Sequence, residues 1–323
     1  MKKWNVTILL TSMDAIDQVT LNFSEANLFY LNLSLGFIMF GVAINLRVED
    51  FIRVIRNPRS ALVGMASQFF VLPTLTFLLI LIIQPRPSFA LGMMLVAACP
   101  GGNISNFMVA MARGNTALSV SLTAVSSTLA IFMTPINIAF WGSMYPPTAA
   151  ILTEVSLDFW QLLKTITMLL LIPIVIGMFL RKWKPAIADK LHPVMHYSSI
   201  AIFAGIVIMA FSANFNLFLS YIHLVILLVL VHNAIALLAG YNLGALFRLQ
   251  QQDCRSIAIE TGIQNSGLGL ILIFGFFDGL GGMAIVAAWW GIWHIISGLS
   301  LAYIWNNRPV ISQSRESNIQ TEI

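Results

Sequence analysis

Long apolar stretches alternate with short polar ones along most of the chain, and the apolar stretches have the length of membrane crossings. About 20 apolar residues in a helix cross the hydrocarbon core of a bilayer. By that rule the sequence predicts about nine spans, near 29–46, 61–83, 88–112, 117–141, 157–180, 195–217, 219–247, 254–277 and 282–305. The predicted fold class is all-α, a polytopic membrane protein. Residues 1–28 are expected to form an arm outside the bilayer, because the apolar run in MKKWNVTILLTSM is too brief to span and Asp14, Asp17 and Glu25 follow. That run also makes a poor signal peptide, since no clear small-residue cleavage site comes after it. Residues 306–323 are expected to form a tail, which leaves 29–305 as the transmembrane domain.

Two of the predicted spans are interrupted. In ACPGGNISNFMVAMARGN, Pro100 removes a backbone donor and crowds the preceding turn, while Gly101 and Gly102 supply the dihedral freedom of an unwound link. In AIETGIQNSGLGL, Gly262 and Gly267 flank a polar run that follows Glu260, a carboxylate at membrane depth. A carboxylate placed there is costly and points to function. The two interruptions lie one in each half of the chain. Discontinuous helices in corresponding positions of two halves point to a transport site between inverted repeats, where helix ends and freed carbonyls meet ions and solutes.

Composition narrows the class. The hydrophobic fraction is 58%, the charged fraction 9% and the mean hydropathy +0.86, whereas soluble domains carry about 25% charge. The formal charge of +4 is small, and nothing in its distribution suggests nucleic-acid binding. Cys99 and Cys254 have no zinc-type spacing and sit in or beside spans, so neither a disulfide nor a metal site is expected. The location of the positive charge is more telling. Alternate loops hold Arg47, Arg53, Arg56 and Arg59, then Arg113, then Arg181, Lys182, Lys184 and Lys190, then Arg248 and Arg255. The tail adds Arg308 and Arg315, while the opposite side holds Arg86, the span-edge Lys164, and Lys2 and Lys3 in the arm. The positive-inside rule then puts the C-terminus in the cytoplasm and the N-terminus outside.

Hard cations such as sodium prefer oxygen ligands. Glu260 can give a full negative charge, and Ser105, Asn106, Ser119, Thr123 and Gln264 can give neutral oxygens. Ser119 and Thr123 share one helix face, four residues apart. Each also has a bland reading, a bond to its own helix's carbonyls. Gln68 is a further isolated polar side chain in a span, for which interhelical packing is the alternative. His232, Asn233 and His294 are expected to pack helices through hydrogen bonds. No nucleophile–base pair or metal trio is apparent, so an enzyme is not expected.

These motifs resemble those of the bile acid:sodium symporter family. The matching pieces are LGFIMFGVAINL at 35–46, SQFFVLP at 67–73, CPGGNISNFMVAMARGNTALSVSLTAVSSTLA at 99–130, LVLVHNAIALLAGYNLG at 228–244, AIETGIQNSGLGL at 258–270 and WWGIWHIISGLSLAYIW at 289–305. The resemblance implies inverted repeats, two crossed unwound helices, and a panel domain beside a core domain. It implies two coupling sodium ions and no other cofactor. One sodium site would comprise Ser105, Asn106, Ser119, Thr123 and Glu260. The second would comprise Gln68, Glu260, Thr261, Ile263 and Gln264, with Thr261 and Ile263 contributing backbone carbonyls. Asn265 would face the substrate at the crossover. The partners implied are sodium, a small organic anion (a bile acid or a smaller carboxylate or sulfonate) and membrane lipids, with no obligate protein partner. Asn103 and Ile104 depart from the Thr-Ala pair common after CPGG, and Ile295 stands where Asn often follows the Trp-His pair; both departures bear on the substrate. Two alternatives stay open: a proton-coupled carrier and a membrane solute sensor.

Overall fold

The computed structural model describes residues 25–56, 58–155, 159–213 and 215–308. The expected arm up to residue 24, and the tail beyond 308, lie outside the described residues. The described chain is helical: α1 (Glu25–Ala43), α2 (Val48–Arg56), α3 (Pro58–Ile83), α4 (Pro87–Ala98), α5 (Ile104–Met111), α6 (Thr116–Met144), α7 (Pro146–Glu154), α8 (Phe159–Trp183), α9 (Pro185–Ala213), α10 (Phe215–Leu246), α11 (Gln251–Gly262), α12 (Ser266–Phe276) and α13 (Gly281–Asn306). Among the described residues, five stretches are long and apolar enough to cross a membrane: α3, α6, α8, Tyr221–Leu246 within α10, and α13. Both expected interruptions are present, since α4 and α5 divide the third predicted span and α11 and α12 the eighth.

Several boundaries differ from the expectation. Helix α1 starts at Glu25, inside the expected arm. Helix α9 starts at Pro185 and takes in Lys190, a residue the hydropathy rule places in a loop. Hydropathy reports the apolar part of a helix and misses polar turns that project beyond it. Helices α2 and α7, of 9 residues each, are too short for that rule to find. In α2, Val48, Ile52 and Ile55 form an exposed apolar stripe, while Asp50 accepts from the Arg47 amide at 2.9 Å and fixes the first turn. Such a stripe beside charged residues suits a helix lying in a membrane interface.

Helix α3 carries one irregularity that matters for the site. Pro73 cannot donate to the turn before it and its ring crowds that turn. The helix answers with a π turn at Ser67–Val71, in which the Leu72 amide reaches back to the Ser67 carbonyl. Gln68 sits in this widened turn. Helix α4 is buried all round from Ser88 to Ala98, as an apolar helix without a polar face should be. It packs against α13 and α6 in the largest hydrophobic core, with Leu95, Leu270, Met283 and Trp290. Helices α10 and α11 approach closely at Gly240 and Gly244, where an added Cβ would lie 2.7 Å from the Ala258 Cα and 3.1 Å from the Cys254 Cα. Small residues four apart permit this in membrane helices.

The basic loops share one end of the bundle. Arg181 donates to the Ile44 carbonyl at 2.6 Å, Arg59 to Phe247 at 2.7 Å and Arg113 to Asn306 at 3.0 Å. Arg255 is buried and donates to the Ala112 carbonyl at 2.8 Å and the Trp305 carbonyl at 3.2 Å, so it closes the C-terminal ends of α5 and α13. At the same end Arg181 pairs with Asp189 and holds that carboxyl below its ordinary pKa.

Candidate cation and solute site

The two unwound links cross and pair through their main chains. Gly102 N donates to the Ile263 carbonyl at 2.7 Å, and Asn265 N donates to the Pro100 carbonyl at 2.8 Å, with Gly101 opposite Gln264. Freed carbonyls in a membrane interior need donors. Thr134 satisfies Ala98 at 2.8 Å, Gln68 satisfies Cys99 at 2.7 Å and Asn233 satisfies Gly262 at 2.8 Å. Asn233 is itself held by Ser297, which donates to its Oδ1 at 2.6 Å. The packing role expected of Asn233 is thus a specific one, closing the end of α11. His232 meets Thr76 at 2.7 Å and lies edge-on to Trp290, also as packing.

Beside this crossing lie two polar clusters. In the first, Glu260 projects from the last turn of α11 and is buried. Its Oε2 accepts from Ser105 Oγ at 2.6 Å and Ser119 Oγ at 3.3 Å, and its Oε1 accepts from Thr123 Oγ1 at 2.7 Å. Ser119 Oγ also lies 2.8 Å from Asn106 Oδ1. All five residues expected of the first sodium site therefore meet. Thr123 also bonds the Ser119 carbonyl at 3.0 Å, so the bland reading and the ligand reading hold together for that residue. Gly101 fits because it has no side chain: a Cβ there would stand 2.4 Å from Glu260 Oε1.

The second cluster is neutral. Gln68 Nε2 donates to Gln264 Oε1 at 2.9 Å and Gln264 Nε2 returns a bond to Gln68 Oε1 at 3.2 Å. Gln264 Nε2 also reaches the Thr261 carbonyl at 2.6 Å, and the Thr261 hydroxyl meets Ser67 at 2.8 Å. The Ile263 carbonyl lies in the crossing itself. The structure brings Gln68, Thr261 and Gln264 together. It does not bond Glu260 to them; among the described residues the hydrogen bonds of Glu260 run to the first cluster only. Ser67, Thr134 and Ser297 are additions of the structure to the site, and Asn233 joins it beyond the packing role expected of it. The signal for Ser67 was its place beside Gln68 in the turn before Pro73.

Asn265 caps α12, its Oδ1 accepting from Leu268 N at 3.0 Å. Its Nδ2 faces Met39 of α1, 3.9 Å from the sulfur, and the residue is half-buried. It thus stands where the crossing meets α1. Ile295, one of the departures noted in the sequence, packs in an apolar cluster with Met108 and Ile259. Among the described residues no three His, Cys, Asp or Glu gather, so the available chemistry is that of a carboxylate, hydroxyls, amides and carbonyls. This is a donor set for a hard cation.

The model of the Sodium Bile acid symporter family matches residues 32–221, more than half of the chain. The chain belongs to this family. Within it, the chain is similar to YocS of Bacillus subtilis (strain 168), an uncharacterized sodium-dependent transporter, at 34% identity over 93% of this chain and 92% of the relative. It is also similar to the rice and Arabidopsis thaliana proteins named "Probable sodium/metabolite cotransporter BASS1, chloroplastic", each at 30% identity. Those matches cover 85% and 83% of this chain but 65% and 64% of the plant proteins. The symporter family is one of sodium-dependent transporters, so sodium is the coupling ion of the family and the chain is a multi-pass membrane protein.

Proposed function

We propose that this protein takes up an organic anion in symport with sodium by alternating access. Two sodium ions bind at the two clusters beside the crossing: Ser105, Asn106, Ser119, Thr123 and Glu260 hold one, and Gln68, Thr261, Ile263 and Gln264 hold the other within reach of the Glu260 charge. The anion, a bile acid or a smaller carboxylate or sulfonate, binds against Asn265 at the N-terminal end of α12, where an amide and a helix end suit negative charge. Helices α1, α8 and α9 pack on one another, and they act as a panel that moves against the helices carrying the crossing. The N-terminus lies outside and the basic face, with the C-terminus, lies in the cytoplasm.

The observation that carries this reading is the buried Glu260 with three hydroxyl donors and, among the described residues, no cationic side chain as a partner. A buried carboxylate left unpaired is costly, and a cation bound among these oxygens would supply the missing charge. The same observation favours a second reading, proton coupling, because a carboxylate in this position can also carry a proton. The test is uptake of labelled taurocholate and a panel of small carboxylates and sulfonates into proteoliposomes. An inward sodium gradient should drive uptake, and potassium or choline should not. Uptake that follows a pH gradient and ignores sodium would establish the proton reading instead. Binding without counterflow of preloaded substrate would make the protein a sensor.

A further inference from the structure

A cavity of about 560 Å³ opens on the basic face, lined by residues other than those of the crossing. Arg53, Arg59 and Arg248 line it from α2, the start of α3 and the link after α10. Its one acidic side chain, Asp253, already accepts from Ser60 Oγ at 2.6 Å and Asn115 Nδ2 at 2.8 Å. Arg53 is partly engaged, with its Nη1 near Asp50, the Ala117 carbonyl and Ser121. Arg59 uses one Nη on the Phe247 carbonyl. Arg248 is exposed; its amide donates to the Ala245 carbonyl at 2.9 Å, and its guanidinium has no hydrogen-bond partner among the described residues. The cavity therefore has more positive charge than it neutralises. Helices α3, α6 and α11 all begin at its wall, and their N-terminal ends add partial positive charge.

We propose that this cavity binds a phosphate group, presented either by a phospholipid headgroup or by a soluble phosphate ester. Guanidinium groups match phosphate oxygens in planar, two-point bonds. The volume holds a phosphate with a small polar substituent. The exposed apolar stripe of α2 beside the cavity brings a membrane surface within reach of Arg53. A phosphate bound here ties α2, the link between α1 and α3, to the starts of α3, α6 and α11. Helix α6 carries Ser119 and Thr123, and α11 carries Glu260 seven residues beyond Asp253, roughly 10 Å along the helix axis. The binding itself does not rest on the transport reading.

The test uses the full chain in detergent at constant ionic strength, since exposed charge pairs are screened by salt. Inorganic phosphate should raise the melting temperature saturably. Arg248→Gln, which removes no hydrogen bond of the fold, should weaken that effect about tenfold, as loss of a charged partner does. The double variant Lys182→Gln, Lys184→Gln, on exposed residues outside the cavity, should leave it unchanged. In a second arm, native mass spectrometry of protein from nanodiscs of phosphatidylcholine with phosphatidylglycerol counts retained lipid. Phosphatidylglycerol held by the wild type and lost from Arg248→Gln identifies the headgroup source. A phosphate effect without retained lipid identifies the soluble source. Neither effect, or equal loss in the double lysine variant, overturns the proposal.

Discussion

The two polar clusters beside the crossing are built from different materials. The first is centred on the Glu260 carboxylate, with hydroxyls brought to it by α5 and α6. The second has no ionisable group: it pairs the Gln68 and Gln264 amides across a π turn and an unwound link. Attraction for a cation in the first comes mainly from one charge. In the second it comes from where neutral dipoles and carbonyls are held. The first should therefore fail when its charge is lost or moved, and the second when its backbone geometry changes. A buried charge supported by several hydrogen bonds and a network of neutral dipoles have different sensitivities even at one crossing.

The strongest break of this contrast is Glu260→Gln. It keeps the size and one oxygen and removes the charge, so sodium-driven uptake should be lost at every sodium concentration, while size-exclusion profiles show a folded protein. Unchanged sodium affinity would show that the first cluster does not depend on its charge. Next in size is Gly101→Ala. Its Cβ would stand 2.4 Å from Glu260 Oε1 and force the carboxylate aside. A displaced carboxylate should lose hydroxyl partners worth about 1.5–3 kcal/mol each, or roughly one to two decades in half-saturating sodium, measured by uptake titration. Normal affinity in this variant would mean that the carboxylate position is not critical.

A smaller effect is expected of Gln68→Leu. It removes the donor to the Cys99 carbonyl and to Gln264 without touching the charge. The sodium dependence of uptake should lose its cooperativity, with half-saturation raised about fivefold for a net loss of about 1 kcal/mol of neutral hydrogen bonding. Cooperativity kept intact would speak against a second ion at this cluster. Asn265→Ala sharpens the comparison from outside both clusters. It deletes the cap on Leu268, at a cost of about 1 kcal/mol of stability, and the amide facing Met39. Substrate uptake at saturating sodium should fall, while equilibrium sodium binding in detergent changes little. Asn106→Ala should do the reverse. Equal loss of sodium affinity in both variants would erase the division of roles.

Much of this was legible in the sequence, for identifiable reasons. Proline and glycine inside apolar stretches marked both links, because they change the backbone locally. Glu260 and the hydroxyls of the first cluster stood out as polar groups in apolar surroundings, and the family resemblance joined them into one set. What stayed hidden depends on contacts between distant positions. Thr134 and Asn233 bond carbonyls 36 and 29 residues away in the chain, and neither spacing leaves a periodic trace. Asp253 carries no distinguishing pattern in the sequence, and only the fold shows it bonded to Ser60 and Asn115. The short helix α2 escaped a rule tuned to long apolar stretches.

The pairing of Gly102 with Ile263 and of Asn265 with Pro100 uses only main-chain atoms. Nearly every amino acid brings the same amide and carbonyl, so substitutions at Ile263 or Asn265 keep the joint's donors and acceptors, whereas a Cβ on Gly102 would stand 3.0 Å from the Gln264 carbonyl oxygen. Proline is the one residue that erases a donor. The crossing is thus fastened by atoms common to nearly every residue, and its tolerance of side-chain change ends at Gly101 and Gly102, where a side chain has no room.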